Sequence, residues 1–491
     1  MLRLGQLIRP GESGDSRCSR WLLENLESLR AGVGDHCLVS EGWFWRAGGG
    51  TRVRGEFTAE TGQDAEATLA GAVADDPRVT VEHNATGTTV TSVSGDPAEY
   101  VAAFAPIDLL GQLDSGELVS LLSAQNHGLF APHYIARVTV FGAHVSSEQL
   151  YSAVRFRIDH PYWTAHLAAG ETHTVPDDGS VLRAVAPSEG TDKGTWLVYE
   201  SALPRSRRDL DSRVLAGCLA LARLALDRPL ALRTIEVRTT HDGEWLPLRS
   251  KALSMPISGY GQSLMPREEL TVERFANWIA LNDRLDGLAS AVYELGSGTV
   301  QLQVLVGTSL VEGLHRRLPY EQSQFPEATG GACDRVKKAA RNAAAGRAEA
   351  EEKMDPGIVR AAVKDAVSHF EDVGYRTRAQ DIADEVTSAV PELTESVPDL
   401  AGKLMAARNE LAHHLVLSDE REPFGNRVDR WVAISYVTPW LLRLLLLLHA
   451  GIEPDALRAA CRDSDRFGFV RANVAAITRD LGWPASWPGE G

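Results

Sequence analysis

Cysteine is scarce in this chain. The five present, Cys18, Cys37, Cys218, Cys333 and Cys461, are odd in number and scattered through 491 residues, with no Cys-x-x-Cys pair. That distribution supports neither a disulfide framework nor a zinc finger, and it fits a reduced, cytoplasmic protein. Positive charge is also short: 50 Lys and Arg stand against 66 Asp and Glu, for a net charge of −16. Phosphate repels an acidic surface, so the chain does not coat nucleic acid, and any such contact must be local. Long hydrophobic runs are missing too. The greasiest segment, residues 439–449 (PWLLRLLLLLH), carries Arg443 and is about half the length a bilayer requires. It reads as a buried bundle helix, and no membrane partner is expected. The opening stretch MLRLGQLIRPGESGDSR breaks its apolar run with charge and proline before a signal-peptide core could form, so secretion is not expected. GESGDSR lacks the lysine of a phosphate-cradling loop, and there is no G-x-S-x-G elbow and no H-E-x-x-H pair. Neither a nucleotide cofactor nor a catalytic metal is implied.

With 44% hydrophobic and 24% charged residues the composition is that of a globular protein. The length calls for two or three domains. From about residue 42 to 253, short β-branched runs such as RVTVEHNATGTTVTSVSG, HYIARVTVFGAHV and LRTIEVRTTHDGEW are punctuated by glycine, aspartate and proline. Turns this frequent signal antiparallel β structure, a sandwich or barrel. One interruption, residues 209–228, has apolar side chains at three-and-four spacing and is expected to pack as a helix across a sheet. After Leu270 the pattern turns to long amphipathic stretches, a bundle of about six helices. The expected fold class is therefore multidomain α+β. It has an extension over 1–40 with a short helix at 19–29, a sandwich-like β-rich region over 41–265, a connecting helix over 266–299 and a helical domain over 300–491. Residues 333–354 hold few large apolar side chains and are expected to form a mobile loop or a projecting helix.

The run Arg408-Asn409-Glu410-Leu411-Ala412-His413-His414 concentrates polar groups on a helix that opens after Pro398-Asp399. At about 100° per residue, Arg408 and His413 stand about 140° apart around the axis. Asn409 and His413, four apart, share a ridge. A histidine titrating near neutrality can move a proton, and a guanidinium can hold phosphorane oxygens through two parallel hydrogen bonds. Together they suit attack of a ribose 2′-hydroxyl on its neighbouring phosphate, which needs no metal and cannot occur on DNA. Spacing alone leaves open the plainer reading of a solvated arginine beside a core-edge histidine.

RNELAHH, with VGTSLVEGLHRRL as the opening helix of the bundle, resembles the ApeA-like HEPN domain, whose motif is an arginine, a polar residue and a histidine a few positions on. GWFWRAGGGTRVRGEFTAETGQDAEATLAG and the strands that follow resemble the amino-terminal β domain of ApeA-type proteins. The resemblance covers about residues 42–480. It implies an abortive-infection antiphage protein with a sensing β half and an RNA-cleaving helical half, acting as a homodimer or higher homo-oligomer, triggered by a phage protein. Transfer RNA is a natural target for such a toxin. Carried over, Arg408 and His413 take the catalytic positions and Asn409 the polar one. His414 is an alternative histidine, with His413 favoured by Asn409. Glu312, on the opening helix, falls where HEPN domains often place an acidic group, or it simply pairs with Arg316 four residues on.

Arg335, Lys337, Lys338, Arg341 and Arg347 form the densest basic run of this acidic chain, and the run either guides RNA, with the first four as the candidates, or is simply a solvated face. His315, Arg316 and Arg317 read better as solvated. Trp43, Phe44, Trp45, Tyr162 and Trp163 could offer a stacking platform, though such residues are more often core. His127, His133, His144, His160, His166 and His173 lack helical metal-ligand spacing.

Overall fold

The computed structural model describes residues 38–60, 62–73, 79–83, 89–93, 97–98, 105–128, 131–159, 161–167, 170–186, 194–251, 262–296, 298–350, 354–413 and 423–483. The short helix expected at 19–29 lies outside them. The fold is α+β. Among the described residues two compact units are distinguished, the second drawn from Ala220–Arg228, Tyr260–Glu269 and Asn277–Gly491 and the first from the rest.

The first unit is built on β1 (Leu38–Arg46), β2 (Val53–Ala59), β3 (Ala65–Leu69), a separate hairpin of β4 (Val79–His83) and β5 (Thr89–Val93), then β6 (Ile107–Leu113), β7 (Leu118–Asn126) and β8 (His133–Ala136). It is not the sandwich-like arrangement expected. Strands run antiparallel in the order β7-β6-β1-β2-β3-β8, and β8 pairs back onto β7 through Gln125 with Ile135 and Asn126 with Tyr134. Because the four-residue β8 hydrogen-bonds on both sides, these six strands close into a barrel.

Alternation fills the barrel. On β3, Ala65, Ala67 and Leu69 are buried while Glu66 and Thr68 face out. The interior mixes large rings, Phe44, Phe57 and Phe141, with small residues, Ala67, Ala124 and Ala136, all less than 5% exposed. Gly111 stands opposite Phe44 in the β1–β6 register. A Cβ there would fall 2.6 Å from the Phe44 ring and 2.8 Å from Val119. The absence of a side chain at Gly111 is therefore what lets the Phe44 ring lie across the barrel.

Beyond β7 the same sheet continues through β9 (Val138–Phe141), β10 (Leu150–Ile158), β11 (Thr172–Thr174), β12 (Val181–Val185), β13 (Trp196–Ser206), β14 (Leu232–Arg238) and β15 (Leu246–Ser250). Their spatial order from β7 outward is β9-β15-β14-β10-β13-β12-β11. An alternating stack runs along this part of the sheet: Arg157 over Trp196 at 4.5 Å, Arg155 between Trp196 and Trp245 at 4.6 Å from each, and Arg238 over Trp245 at 4.2 Å. Arg155 Nε also donates to Glu236 at 2.6 Å. The rings hold the guanidiniums by cation–π attraction, and the carboxylate keeps part of the positive charge matched. The interruption before β14 is helical as expected. It begins at Arg207 under a Ser206 cap, passes through a π-helical turn at Leu210–Leu215 and continues as α1 (Ala216–Leu226).

From Val272 onward the described residues form ten α-helices rather than about six: α2 (Val272–Arg284), α3 (Leu288–Glu294), α4 (Val300–His315), α5 (Gly330–Ala350), α6 (Pro356–Ala366), α7 (Tyr375–Ala389), α8 (Leu400–His413), α9 (Phe424–His449), α10 (Pro454–Asp463) and α11 (Asp465–Asp480). The expected connecting helix is two, broken where Asp286 and Gly287 take positive φ of 50° and 74°. Residues 439–449 are the second half of the 26-residue α9, which runs on through Pro439. The helix is thus long and apolar enough to cross a bilayer, yet 72% of its most apolar window is buried, as in a core helix. Residues 333–350 belong to α5, where Cys333, Ala345 and Ala348 are buried.

Gly111→Ala places a methyl group inside the Phe44 contact. Overpacking of this kind costs about 1–3 kcal/mol, so a clear drop in the thermal midpoint of the full chain is expected. An unchanged midpoint would show that the ring moves aside freely and that the close approach is unimportant.

Candidate active site

The motif helix α8 starts where the sequence suggests. Asp399 takes a left-handed φ of 51° and its side chain accepts from the Gly402 N–H at 3.1 Å, an N-terminal cap. Leu400, Ala401, Leu404, Ala407 and Leu411 are buried, and this face turns Asn409 and Ala412 outward. Arg408 lies between the two, 30% exposed. The helix opposite, α4, is capped by Thr299, which accepts from Leu302 N at 3.4 Å, and its Gly307 sits close against Thr438 of α9.

Arg408 Nη2 donates to Glu312 Oε2 at 2.8 Å, and Glu312 Oε1 accepts from Arg316 Nη2 at 2.9 Å. The expected pairing of Glu312 with Arg316 is present, and the same carboxylate also serves Arg408. The Arg408 guanidinium also lies 4.8 Å from the centre of the Tyr375 ring. Tyr375 is anchored in turn by its hydroxyl, which donates to the Thr308 carbonyl at 3.0 Å, and burial pushes its phenol well above the ordinary range. Tyr375 is a site residue that the motif did not reveal, because it comes from α7. Arg408 has five N–H donors, so the Glu312 contact still leaves donors for a phosphate. Asn409 is exposed. His413 closes α8, but its side chain, like the whole of His414, lies outside the described residues. Glu410, within the motif, faces the next helix. It accepts from Trp431 Nε1 at 3.2 Å and pairs with Arg427 at 3.1 Å and Arg430 at 3.4 Å, fixing α8 to α9.

The solvated reading of His315 is wrong. The side chain is fully buried, because α4 turns it inward beside Leu314 and Val311, and a polar network makes that burial tolerable. Its Nε2 lies 2.9 Å from Asp381, and Arg378 Nη1 lies 3.2 Å from Nδ1. A guanidinium can only donate, so Nδ1 accepts and the proton sits on Nε2, giving a neutral ring. Tyr320 stacks on this ring at 4.5 Å, and its hydroxyl donates to Glu385, which also pairs with His449 at 3.2 Å. Arg316 and Arg317 are partly exposed but paired, Arg317 with Asp286 at 2.8 Å.

Of the basic run, Arg335 and Lys338 are exposed and three apart on α5, so they share a ridge. Lys337 instead pairs with Glu371 at 2.6 Å, and Arg341 donates to the Lys337 carbonyl at 3.2 Å. The aromatic candidates do not form one platform. Strand alternation buries Phe44 and leaves Trp43 47% exposed beneath Arg54, while Trp45 meets Arg52 and His144. The side chain of Tyr162 is outside the described residues. The histidines of the β unit have separate partners: His133 meets Glu66, His144 the Gly111 carbonyl, His166 the Leu270 carbonyl and His173 Glu171. His160 is outside the described residues. Among the described residues no three metal-ligating side chains converge.

Compared with protein families, with curated proteins and with solved structures, the chain matches none.

Burial, with Arg378 adding to it, lowers the His315 pKa below its ordinary 6.5 despite Asp381. The unfolded chain therefore takes up a proton that the folded chain refuses. Stability from this group is complete above the unfolded pKa and declines as pH falls through the window beneath it. The thermal midpoint should drop between about pH 7.5 and about pH 5.5, with a shallower slope in His315→Asn. Identical slopes in the two proteins would refute the neutral, buried assignment.

Proposed function

We propose that the chain is a metal-independent endoribonuclease of the HEPN type, ApeA-like, which acts in the cytoplasm as an abortive-infection antiphage toxin. The observation that supports this most is the Arg408 contact. A motif arginine is held by a carboxylate from a second helix and a ring from a third, so it is preorganised rather than free to swing. Preorganised charge aimed at a developing oxyanion is worth far more than a mobile one.

In this reading the ribose 2′-hydroxyl oxygen attacks the adjacent phosphorus while His413, or His414 in its place, takes the hydroxyl proton. Arg408 meets the negative oxygens of the phosphorane. The P–O5′ bond then breaks, the 5′-oxygen leaves with the proton that the histidine returns to it, and a 2′,3′-cyclic phosphate remains. Asn409 orients the histidine, Glu312 and Tyr375 position Arg408, and Arg335, Lys337, Lys338 and Arg341 steer RNA, of which transfer RNA is the natural class. Two copies would bring their motifs into one cleft, and the β unit would sense a phage protein. A second reading also has an observation in its favour. Arg408 is ion-paired and largely covered, which equally suits a noncatalytic sensor or scaffold in which the helical unit only dimerises or binds RNA.

The assay is cleavage of total cellular RNA by the purified full chain in excess chelator. Loss of the proton shuttle in His413→Ala should slow cutting about 10²–10⁴-fold, and Arg408→Ala about 10²–10³-fold. His414→Ala should retain activity and DNA should remain intact. Equal rates in every correctly folded variant, or a requirement for divalent metal, would hand the case to the scaffold reading.

A further inference from the structure

A cavity of about 510 Å³ lies within the helical unit, walled by α3, α4, α9 and α11. Its lining includes Tyr293, Gln303, Tyr436, Arg443, Arg466 and Phe469. A neighbouring hollow of about 300 Å³ shares Tyr293, Arg443 and Arg466 and adds Glu294. Volumes of this order match those of small-molecule sites, about 300–1,000 Å³, and are too small for a folded partner.

The charge here is unbalanced. Arg443 and Arg466 both donate to one oxygen of the buried Asp227. Two guanidiniums thus share one carboxylate oxygen. Arg443 is committed to the interior, but the Arg466 side chain is 58% exposed and uses a single N–H on Asp227. Beside it Phe469 is left 60% exposed, and Tyr436 of α9 lines the same cavity. Pro439, also in the lining, has no N–H to give the Ser435 carbonyl one turn back, so the helix wall carries an acceptor without its usual partner.

An uncancelled guanidinium beside uncovered rings has a definite chemical complement. We propose that this cavity binds a small phosphate-bearing molecule with a flat ring, of the nucleoside monophosphate class. The phosphate meets Arg466 through charge-assisted hydrogen bonds, the ring packs against Phe469 and Tyr436, and Gln303 and Ser435 supply polar contacts to its edge. None of these residues belongs to the α8 site, so the inference stands apart from RNA cleavage and is read by binding alone.

The experiment is titration calorimetry of the full chain with adenosine monophosphate, adenosine, inorganic phosphate and benzoate. The monophosphate should bind more tightly than adenosine or phosphate alone. Arg466→Ala, an exposed change, should weaken it about tenfold to a hundredfold, as loss of a charged hydrogen bond does. Phe469→Ala should weaken the monophosphate while leaving phosphate unchanged. Circular dichroism confirms that both variants fold. Three outcomes overturn the proposal: no binding of the monophosphate, adenosine binding equally well and indifferent to Arg466→Ala, or benzoate binding where the monophosphate does not.

Discussion

The helical unit is organised around Asp227. Its carboxylate is fully buried and receives Arg443 from the last third of α9 and Arg466 from the start of α11. Without it, α9 would carry a guanidinium inside an apolar core, and stranding a buried charge costs about 3–5 kcal/mol, a large share of the 5–15 kcal/mol that holds a domain together. The contact therefore lets this stretch of α9 be buried all round, with Leu441, Leu442, Leu444, Leu445 and Leu446 at zero exposure around Arg443. It also sets the wall of the cavity, since two arginines brought to one carboxylate cannot both be neutralised.

The same rule governs the rest of the unit. Titratable groups on α4 and α7 are met by others: the buried His315 by Asp381 and Arg378, the half-buried Glu385 by Tyr320 and His449. Glu312 stands one turn before His315 on α4. One stretch of helix thus sends its inward face into the buried network and its half-exposed face to Arg408. Rigidity in the first supports position in the second, because a helix pinned by hydrogen bonds on one side has little freedom to retract a carboxylate on the other.

Much of the architecture was legible in the sequence. Alternating β-branched runs between glycines mark strands, and HYIARVTVFGAHV and LRTIEVRTTHDGEW hold β8, β9 and β14. Pro398-Asp399 marked the start of α8. What the pattern could not give was closure. β8 is four residues long, and nothing within HYIA says that it pairs on both sides, so barrel and sandwich stay equivalent until the β7–β8 register is known. The greasiest segment, residues 439–449, is likewise only part of a longer element, since α9 continues through Pro439 where packing outweighs one lost hydrogen bond.

The candidate site divides in the same way. Arg408, Asn409 and Glu312 stand out in sequence because polar groups on an apolar helix need a reason. Tyr375, Glu410 and the burial of His315 do not, since each depends on a partner twenty or more residues away. Periodicity, composition and turn chemistry are local properties, and they determined the class of the fold and the helix that carries the motif. Contacts between distant segments are set by packing and by the need to match buried charge, and only the tertiary structure decided those: the closed barrel, the Asp227 cluster with its cavity, and the carboxylate and ring that hold Arg408.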